Sequence, residues 1–522
     1  MQGGERGKIP VYLNINMARL RILFYGINGT GLGHLSRLLR IAREARELVN
    51  SMNIQADFRF ITTSEASQAA WDFPVYKLPS KTVVASSGTP NHEFLGNSQF
   101  FISNLAAAFR PDILVMDTVP EGSFGEFLSL RSFCRRTVFI NRHKKEEIAL
   151  NEIHQKYLPL YDLILTPDYP KFANRHHLPP VLKSEAVYTD PIHGFKPERA
   201  FGRETVRKKF GLDSRSKLVY ISAGGGGDKL AQENLETIID AVNSLGHKPL
   251  VGYGPLFQGE ICYDGSVIPF CGTDVSRYFK GVDFAISAGG YNTYQELLAA
   301  EVPAIFYAQE KGMDFQEERI LEGQKQGWNL YLEELNEATL AAQIQEMTQD
   351  ETLQKVRDNL SRRSQAWGAC NAAEELLKLH HSIPGSPIDY EQLPLLTSIR
   401  KEWSIFAVRN GIDPNSSEIA FRNIAANLNL CYALLPLRQK QLAYEGLIEN
   451  CSTVCERAAQ WLETGWLLSQ WQQKTGWSMG KMRAVLKRFF AENPVRGGTV
   501  TPLKMMDCLQ EEQAKVILTQ QN

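Results

Sequence analysis

From residue 20 onward, short apolar runs alternate with stretches whose apolar positions recur at helical spacing. Arg21-Ile22-Leu23-Phe24-Tyr25 is a strand-like run ended by Gly26. After it, Leu35, Leu38, Leu39, Ala42, Ala45 and Leu48 recur at the spacing of one helix face. Asp57–Thr63, Pro111–Asp117, Thr137–Ile140 and Leu163–Thr166 continue the strand series, with a helix expected near 98–109. The pattern restarts after a segment rich in Pro and His near 176–200. Its strands are Lys217–Ser222, Pro249–Tyr253, Val267–Phe270, Phe284–Ser287 and Ala304–Tyr307. Helices are expected at 229–245 and at 352–381, the latter closing the second unit. Short apolar strands separated by helices predict parallel sheets covered on both faces. Beyond Pro384 strand-like runs almost vanish and helical periodicity takes over. The expected domains are therefore 18–195, 196–384 and a helical extension, 385–522.

A length of 522 residues agrees with two or three domains. The apolar fraction of 43% and the charged fraction of 22% are those of a soluble globular chain. A net charge of −1 provides no global field for nucleic acid. The runs Arg135-Arg136 and Arg142-His143-Lys144-Lys145 read as solvated faces, or as local contacts for phosphates or anionic headgroups. The eight cysteines form no CxxC pair and no zinc spacing, so a reducing, cytoplasmic setting and no metal site are expected. No signal peptide or membrane span is expected. Five of the eight tryptophans (Trp403, Trp461, Trp466, Trp471 and Trp477) lie in the extension, as core residues or as anchors at a membrane surface.

Two segments carry chemistry. Gly29-Thr30-Gly31-Leu32-Gly33-His34 joins the first strand to the first helix. Gly31 and Gly33 let the backbone approach another group closely. The amides at the helix start favour an anion. His34, with an ordinary pKa near ~6.5, can take a proton from a hydroxyl at neutral pH. The competing reading is packing glycines and a helix-capping histidine. A dinucleotide fingerprint fits less well, because the GxGxxG spacing is not matched.

The second segment is Gly289-Gly290-Tyr291-Asn292-Thr293-Tyr294-Gln295-Glu296, after the strand ending at Ser287. Bare glycine before a helix start suits a diphosphate. Glu296, a turn into that helix, can accept both hydroxyls of a ribose, or it serves the helix dipole. Asp314, Gln316 and Glu317 follow the next strand, where they can bind a polyhydroxylated ligand or form a solvated face.

These residues resemble the two-domain GT-B nucleotide-sugar glycosyltransferases. Among these the likeness is to the enzymes that add N-acetylglucosamine to the peptidoglycan lipid intermediate or glycosylate diacylglycerol. The resemblance covers residues 20–380. It implies an α/β fold of two Rossmann-like domains facing across a cleft, with the helical extension outside it. It implies His34 as general base. It also implies Glu296 on the ribose, Gly290 and Thr293 at the diphosphate, Asp314 and Gln316 on the sugar, and Cys271 near the base. Gly224, Gly225 and Gly226 would meet phosphate by backbone alone, since the family's serine is absent there. Glu317 replaces a glutamine and His193 an arginine of the family pattern. The implied reaction is an inverting, metal-independent transfer from a UDP-linked donor, UDP-N-acetylglucosamine first, to an unidentified hydroxyl of a lipid, saccharide or small molecule. No cofactor is implied, and peripheral contact with a membrane is an option. The alternatives are a nucleotide-sugar epimerase of the same fold and a non-catalytic nucleotide-sugar-binding regulator.

Overall fold

The computed structural model describes residues 19–28, 31–117, 119–183, 185–213, 216–224, 230–254, 256, 257, 259, 265–272, 274–309, 314–434, 451–492 and 507–514. Two parallel sheets organise the chain. The first has seven strands: β1 (Leu20–Gly26), β2 (Ala56–Thr62), β3 (Val75–Lys77), β4 (Ile113–Met116), β5 (Arg136–Ile140), β6 (Leu163–Thr166) and β7 (Val187–Tyr188). Their order is β3-β2-β1-β4-β5-β6-β7. The second has six: β8 (Leu218–Ser222), β9 (Lys248–Tyr253), β10 (Ile268–Cys271), β11 (Phe284–Ala288), β12 (Ala304–Tyr307) and β13 (Leu330–Leu332), in the order β10-β9-β8-β11-β12-β13. Each is a doubly wound sheet whose order reverses once, between β1 and β4 and between β8 and β11. These are the two Rossmann-like units the sequence predicts. The strands it overlooks, β3, β7 and β13, span two or three residues at sheet edges. Runs that short carry no detectable period.

The first helix, α1 (Gly33–Ser51), buries Leu35, Leu38, Leu39, Ala42, Ala45 and Leu48 against the first sheet, as its spacing requires. The second sheet is covered by α2 (Ala231–Ser244) on one face and by α3 (Tyr291–Ala299) and α4 (Gln316–Lys325) on the other. The chain order then departs from the spatial order. Helix α5 (Gly368–His381), assigned by alternation to the second unit, crosses back. Its Ala372, Ala373, Leu376 and Leu377 join Ile22, Phe24 and Leu38 in the core of the first sheet.

The extension also leans on that core. Ile388, together with Leu393 and Leu396 of α6 (Gln392–Arg409), packs into it. The rest of α6, with α7 (Ser417–Leu434), α8 (Cys451–Thr475) and α9 (Met479–Glu492), forms a second apolar cluster around Trp403, Trp461, Trp471 and Trp477. Those tryptophans are core residues, with Trp403 fully buried. Among the described residues no helix is long and apolar enough to cross a membrane.

Two segments link the halves, 189–197 and 361–368, and they touch. A Cβ on Gly368 would collide with the carbonyls of Asp190 and Pro191. His193 donates from Nε2 to the Ala366 carbonyl at 3.0 Å, and burial, Arg363 and Arg40 hold its ring down to about 3. A neutral histidine thus pins the crossing.

Candidate functional site

Open α/β sheets bind ligands outside the carboxyl ends of their strands, where the strand order reverses. In the first sheet that point lies between the end of β1, which leads to His34, and the end of β4, which leads to Asp117. The side chains meet there: His34 Nδ1 lies 2.9 Å from Asp117 Oδ1. Arg37 Nη1 donates to Asp117 Oδ2 at 2.6 Å. Asp117 is buried, and the His34 side chain is 17% exposed. Asn28 sets the helix start, its Oδ1 accepting from the amides of His34 (3.2 Å) and Leu35 (3.4 Å). The capping role therefore belongs to Asn28, which leaves the imidazole free for other work.

The packing explanation for the glycines also fails where it can be tested. A Cβ on Gly31 or Gly33 would meet nothing within 4 Å, whereas one on Gly26 would press on Leu38 at 3.0 Å. Gly26 is the packing glycine; Gly31 and Gly33 border open space. Gly29 and Thr30 lie outside the described residues.

Electrostatics favour a neutral imidazole. Burial lowers the His34 pKa, Asp117 opposes this, and Arg142 and Arg37 add to it. For Asp117, burial works toward protonation, but Arg37 and His34 outweigh it and bring the carboxyl down to about 2. An ionised Asp117 holds the proton of the neutral imidazole on Nδ1, so that Nε2 can accept one.

The second reversal point, between β8 and β11, carries the other glycine turn. Gly290 precedes α3, and a Cβ there would meet nothing within 4 Å. Gly289 packs tightly instead, its Cβ position lying 2.6 Å from Ile320. Gly224 adopts a left-handed φ of 86° beside Gln309. Gly225 and Gly226 lie outside the described residues. Thr293 is half-buried in the first turn of α3. Cys271 is exposed at the end of edge strand β10.

Glu296 lies in the seam between the two halves and is already engaged. Arg40 of α1 donates to its Oε1, and to Asn292 Oδ1 at 2.9 Å. Its Oε1 also crowds Gly194 of the linker, 2.7 Å from where a Cβ would stand. Burial raises the carboxyl's pKa and Arg40 lowers it. A ribose reaching Glu296 must share it with Arg40 or displace it. Arg40 follows His34 by six residues, or about 9 Å along the helix axis. The Glu296 carboxylate is thus tied, through Arg40, to the helix that carries His34.

The polar loop residues already have partners within the protein. Asp314 accepts from Arg319 at 2.6 Å and lies 3.9 Å from Arg142 of the first half. Gln316 is buried, its Oε1 accepting from the Gln309 amide at 3.1 Å. Glu317 is exposed and accepts from the Tyr331 hydroxyl at 3.3 Å.

Three residues at the seam escaped the sequence reading. Asp117 was legible only as the end of a strand. Tyr291 pins the halves: its hydroxyl donates to the Pro167 carbonyl at 2.9 Å and accepts from the Ile192 amide at 3.0 Å. Arg37 lies over its ring at 5.0 Å. Arg40 belongs to a polar stripe on α1, formed by His34, Arg37, Arg40, Glu44 and Glu47. Its lower end grips the linker and the extension through Glu44–Lys196 (2.7 Å), Glu44–Arg400 (2.8 Å) and Glu47–Arg422. The charged positions at spacings of three and four were visible, but a solvated face has the same pattern.

The fold and site thus define a two-sheet protein in which each reversal point carries a glycine turn, and α1 of the first half meets α3 of the second through Arg37 over Tyr291 and Arg40 on Glu296. No protein-family model matches the chain. Over 157 residues, 30% of its length, it is 22% identical to an uncharacterized glycosyltransferase of Methanopyrus kandleri. The match spans 44% of that relative, less than half its length. Among solved structures it is similar to MurG of Acinetobacter baumannii (11% identity, 69% of this chain and 99% of that one, TM-score 0.46). It is also similar to the spinosyn forosaminyltransferase SpnP (12%, 69% and 99%, TM-score 0.49) and the calicheamicin glycosyltransferase CalG4 (16%, 70% and 100%, TM-score 0.47).

Proposed function

We propose that this chain is a glycosyltransferase of the two-domain GT-B type, moving a sugar from a nucleotide-sugar donor to an acceptor hydroxyl. The observation that carries the reading is the His34–Asp117 pair at the reversal point of one sheet, joined through Arg37, which pairs with Asp117 and lies over Tyr291, to the first residue of α3 at the reversal point of the other. In this mechanism the donor diphosphate lies on the amides at the start of α3, with Glu296 at the ribose. His34 Nε2 takes the acceptor's proton as the acceptor oxygen attacks the anomeric carbon. The bond from that carbon to the diphosphate oxygen breaks on the opposite face, so the configuration inverts. Amides and the helix dipole take up the charge of the leaving diphosphate, and the step does not call on a metal.

The test is a calorimetric screen of UDP, dTDP and GDP, followed by release of the nucleoside diphosphate from matching donors offered an acceptor panel. UDP-N-acetylglucosamine is the first donor to try. Absence of binding by all three nucleotides overturns the reading.

A further inference from the structure

The sequence run Arg142-His143-Lys144 is not consumed by the proposed chemistry. It follows β5, the strand next to β4, on the same carboxyl edge of the first sheet as Asp117. Lys144 is 4% exposed, and its ammonium donates to Asn141 Oδ1 at 3.1 Å. The ammonium also lies over the Phe139 ring at 5.2 Å, but an ammonium has three hydrogens to place, and burying a charge with one neutral hydrogen-bond acceptor is costly. Among the described residues, the buried donors Asn141 Nδ2 and Arg37 Nε also have no hydrogen-bond partner.

The charge count has the same sign. Arg37, Arg142 and Lys144 belong to the first half of the crevice, and Asp117 is the carboxylate that Arg37 pairs with. Glu121 also acts on Lys144; its Oε1 faces His154 at 3.3 Å, and its buried Oε2 has no hydrogen-bond partner among the described residues. Asp314, across the seam, is taken by Arg319. Arg142 donates to the His143 carbonyl at 3.3 Å and reaches Asp314 only at 3.9 Å. A solvated face would leave Lys144 exposed, and it is buried.

We infer that Asn141, Arg142 and Lys144 form an anion subsite on the acceptor side of the crevice, so that the acceptor carries a phosphate or carboxylate near the hydroxyl it presents to His34. This rests on the glycosyl-transfer reading for the word acceptor; the anion site itself stands on the donors just named. The donor's own diphosphate belongs to the other sheet, at α3. Burial and Arg142 bring the Lys144 ammonium down to about 7, a charge that a bound anion would restore.

The experiment titrates the full chain with inorganic phosphate, glucose 6-phosphate, glucuronate and glucose, with and without saturating UDP. The expected result is binding of phosphate and of at least one charged sugar, no binding of glucose, and no competition with UDP. Glucose 6-phosphate against glucuronate distinguishes a phosphate from a carboxylate. Lys144→Met and Arg142→Gln should each weaken anion binding by about 10-fold or more while leaving UDP affinity within about 2-fold. Arg142→Gln keeps the test valid if the buried lysine proves necessary for folding. Anion binding unchanged from the parent in both variants, competition with UDP, or no anion binding while UDP binds overturns the inference and leaves the transferase reading intact. Lysine-dependent anion binding without any nucleotide binding sustains the anion site and removes the transferase.

Discussion

Replacing Asp117 by Asn should slow transfer by putting the imidazole proton on the wrong nitrogen. The carboxylate serves two donors at once, His34 at 2.9 Å and Arg37 at 2.6 Å, and it is buried. An amide has one acceptor oxygen. Arg37 can only donate, so it claims that oxygen, and the amide NH2 turns toward His34 Nδ1. Nδ1 must then accept, which moves the ring proton to Nε2, the atom that has to receive the acceptor's proton. General-base catalysis contributes about 10²–10⁴-fold, so kcat should fall by that range, about 2.7–5.4 kcal/mol of barrier. Losing the charge beside Arg37 should also cost about 1–3 kcal/mol of stability. Nucleoside diphosphate release under saturating donor measures the first, thermal unfolding the second, and calorimetry with UDP shows whether the donor half is intact. The double variant His34→Ala/Asp117→Asn should be no slower than His34→Ala alone, because the two act as a unit. A kcat within about 3-fold of the parent, in a folded protein that binds UDP, would refute the assignment.

Other outcomes follow from the same geometry. Since burial holds the His34 pKa below its ordinary ~6.5, the acidic limb of kcat/KM should inflect below that value. The limb should move lower still in Asp117→Asn, where the stabilising charge is gone; an inflection above ~6.5 in the parent contradicts the scheme. Arg40→Ala frees Glu296 and should tighten UDP binding several-fold by calorimetry, whereas Glu296→Gln should weaken it by about 10-fold; weaker binding in Arg40→Ala would make that arginine a ligand. Burial opposes ionisation of Glu44 and Glu418, but Arg400 and Lys196 prevail, Glu44 falling to about 2 and Glu418 also going down. Their ionised forms favour the folded state, so this contribution is intact above about pH 4.5 and drains away toward pH 2. Arg400→Met should cost about 3–5 kcal/mol at neutral pH and flatten the acid dependence of the thermal midpoint. Truncation after Pro384 removes Leu393 and Leu396 from the first sheet's core and should yield an aggregating protein, scored by size-exclusion chromatography; a monomer with an unchanged midpoint would contradict that.

The strand runs, the helix after His34 and both glycine turns were legible from the chain because their causes are local. A two-residue or 3.6-residue period, a glycine without a side chain and a run of β-branched residues act on their own neighbours. Thus β6 and β12 match the sequence reading residue for residue, and most other strands match it to within a residue or two. The site itself was only half visible. His34 stood out by its turn, but its partner lies 83 residues away, brought alongside because β1 and β4 are neighbours in the sheet. Glu296 was named for a ribose, yet its present partner, Arg40, is 256 positions distant. Glu44 and Arg400, 356 apart, meet only because α6 folds over α1. Helix α5 has the apolar face the sequence requires, and only the return crossing decides which sheet that face covers. Hydrophobic pattern says that a face will be buried. It cannot say against what, because burial energy is non-directional, while ion pairs and hydrogen bonds gain their specificity only once the chain has brought distant groups within about 3 Å.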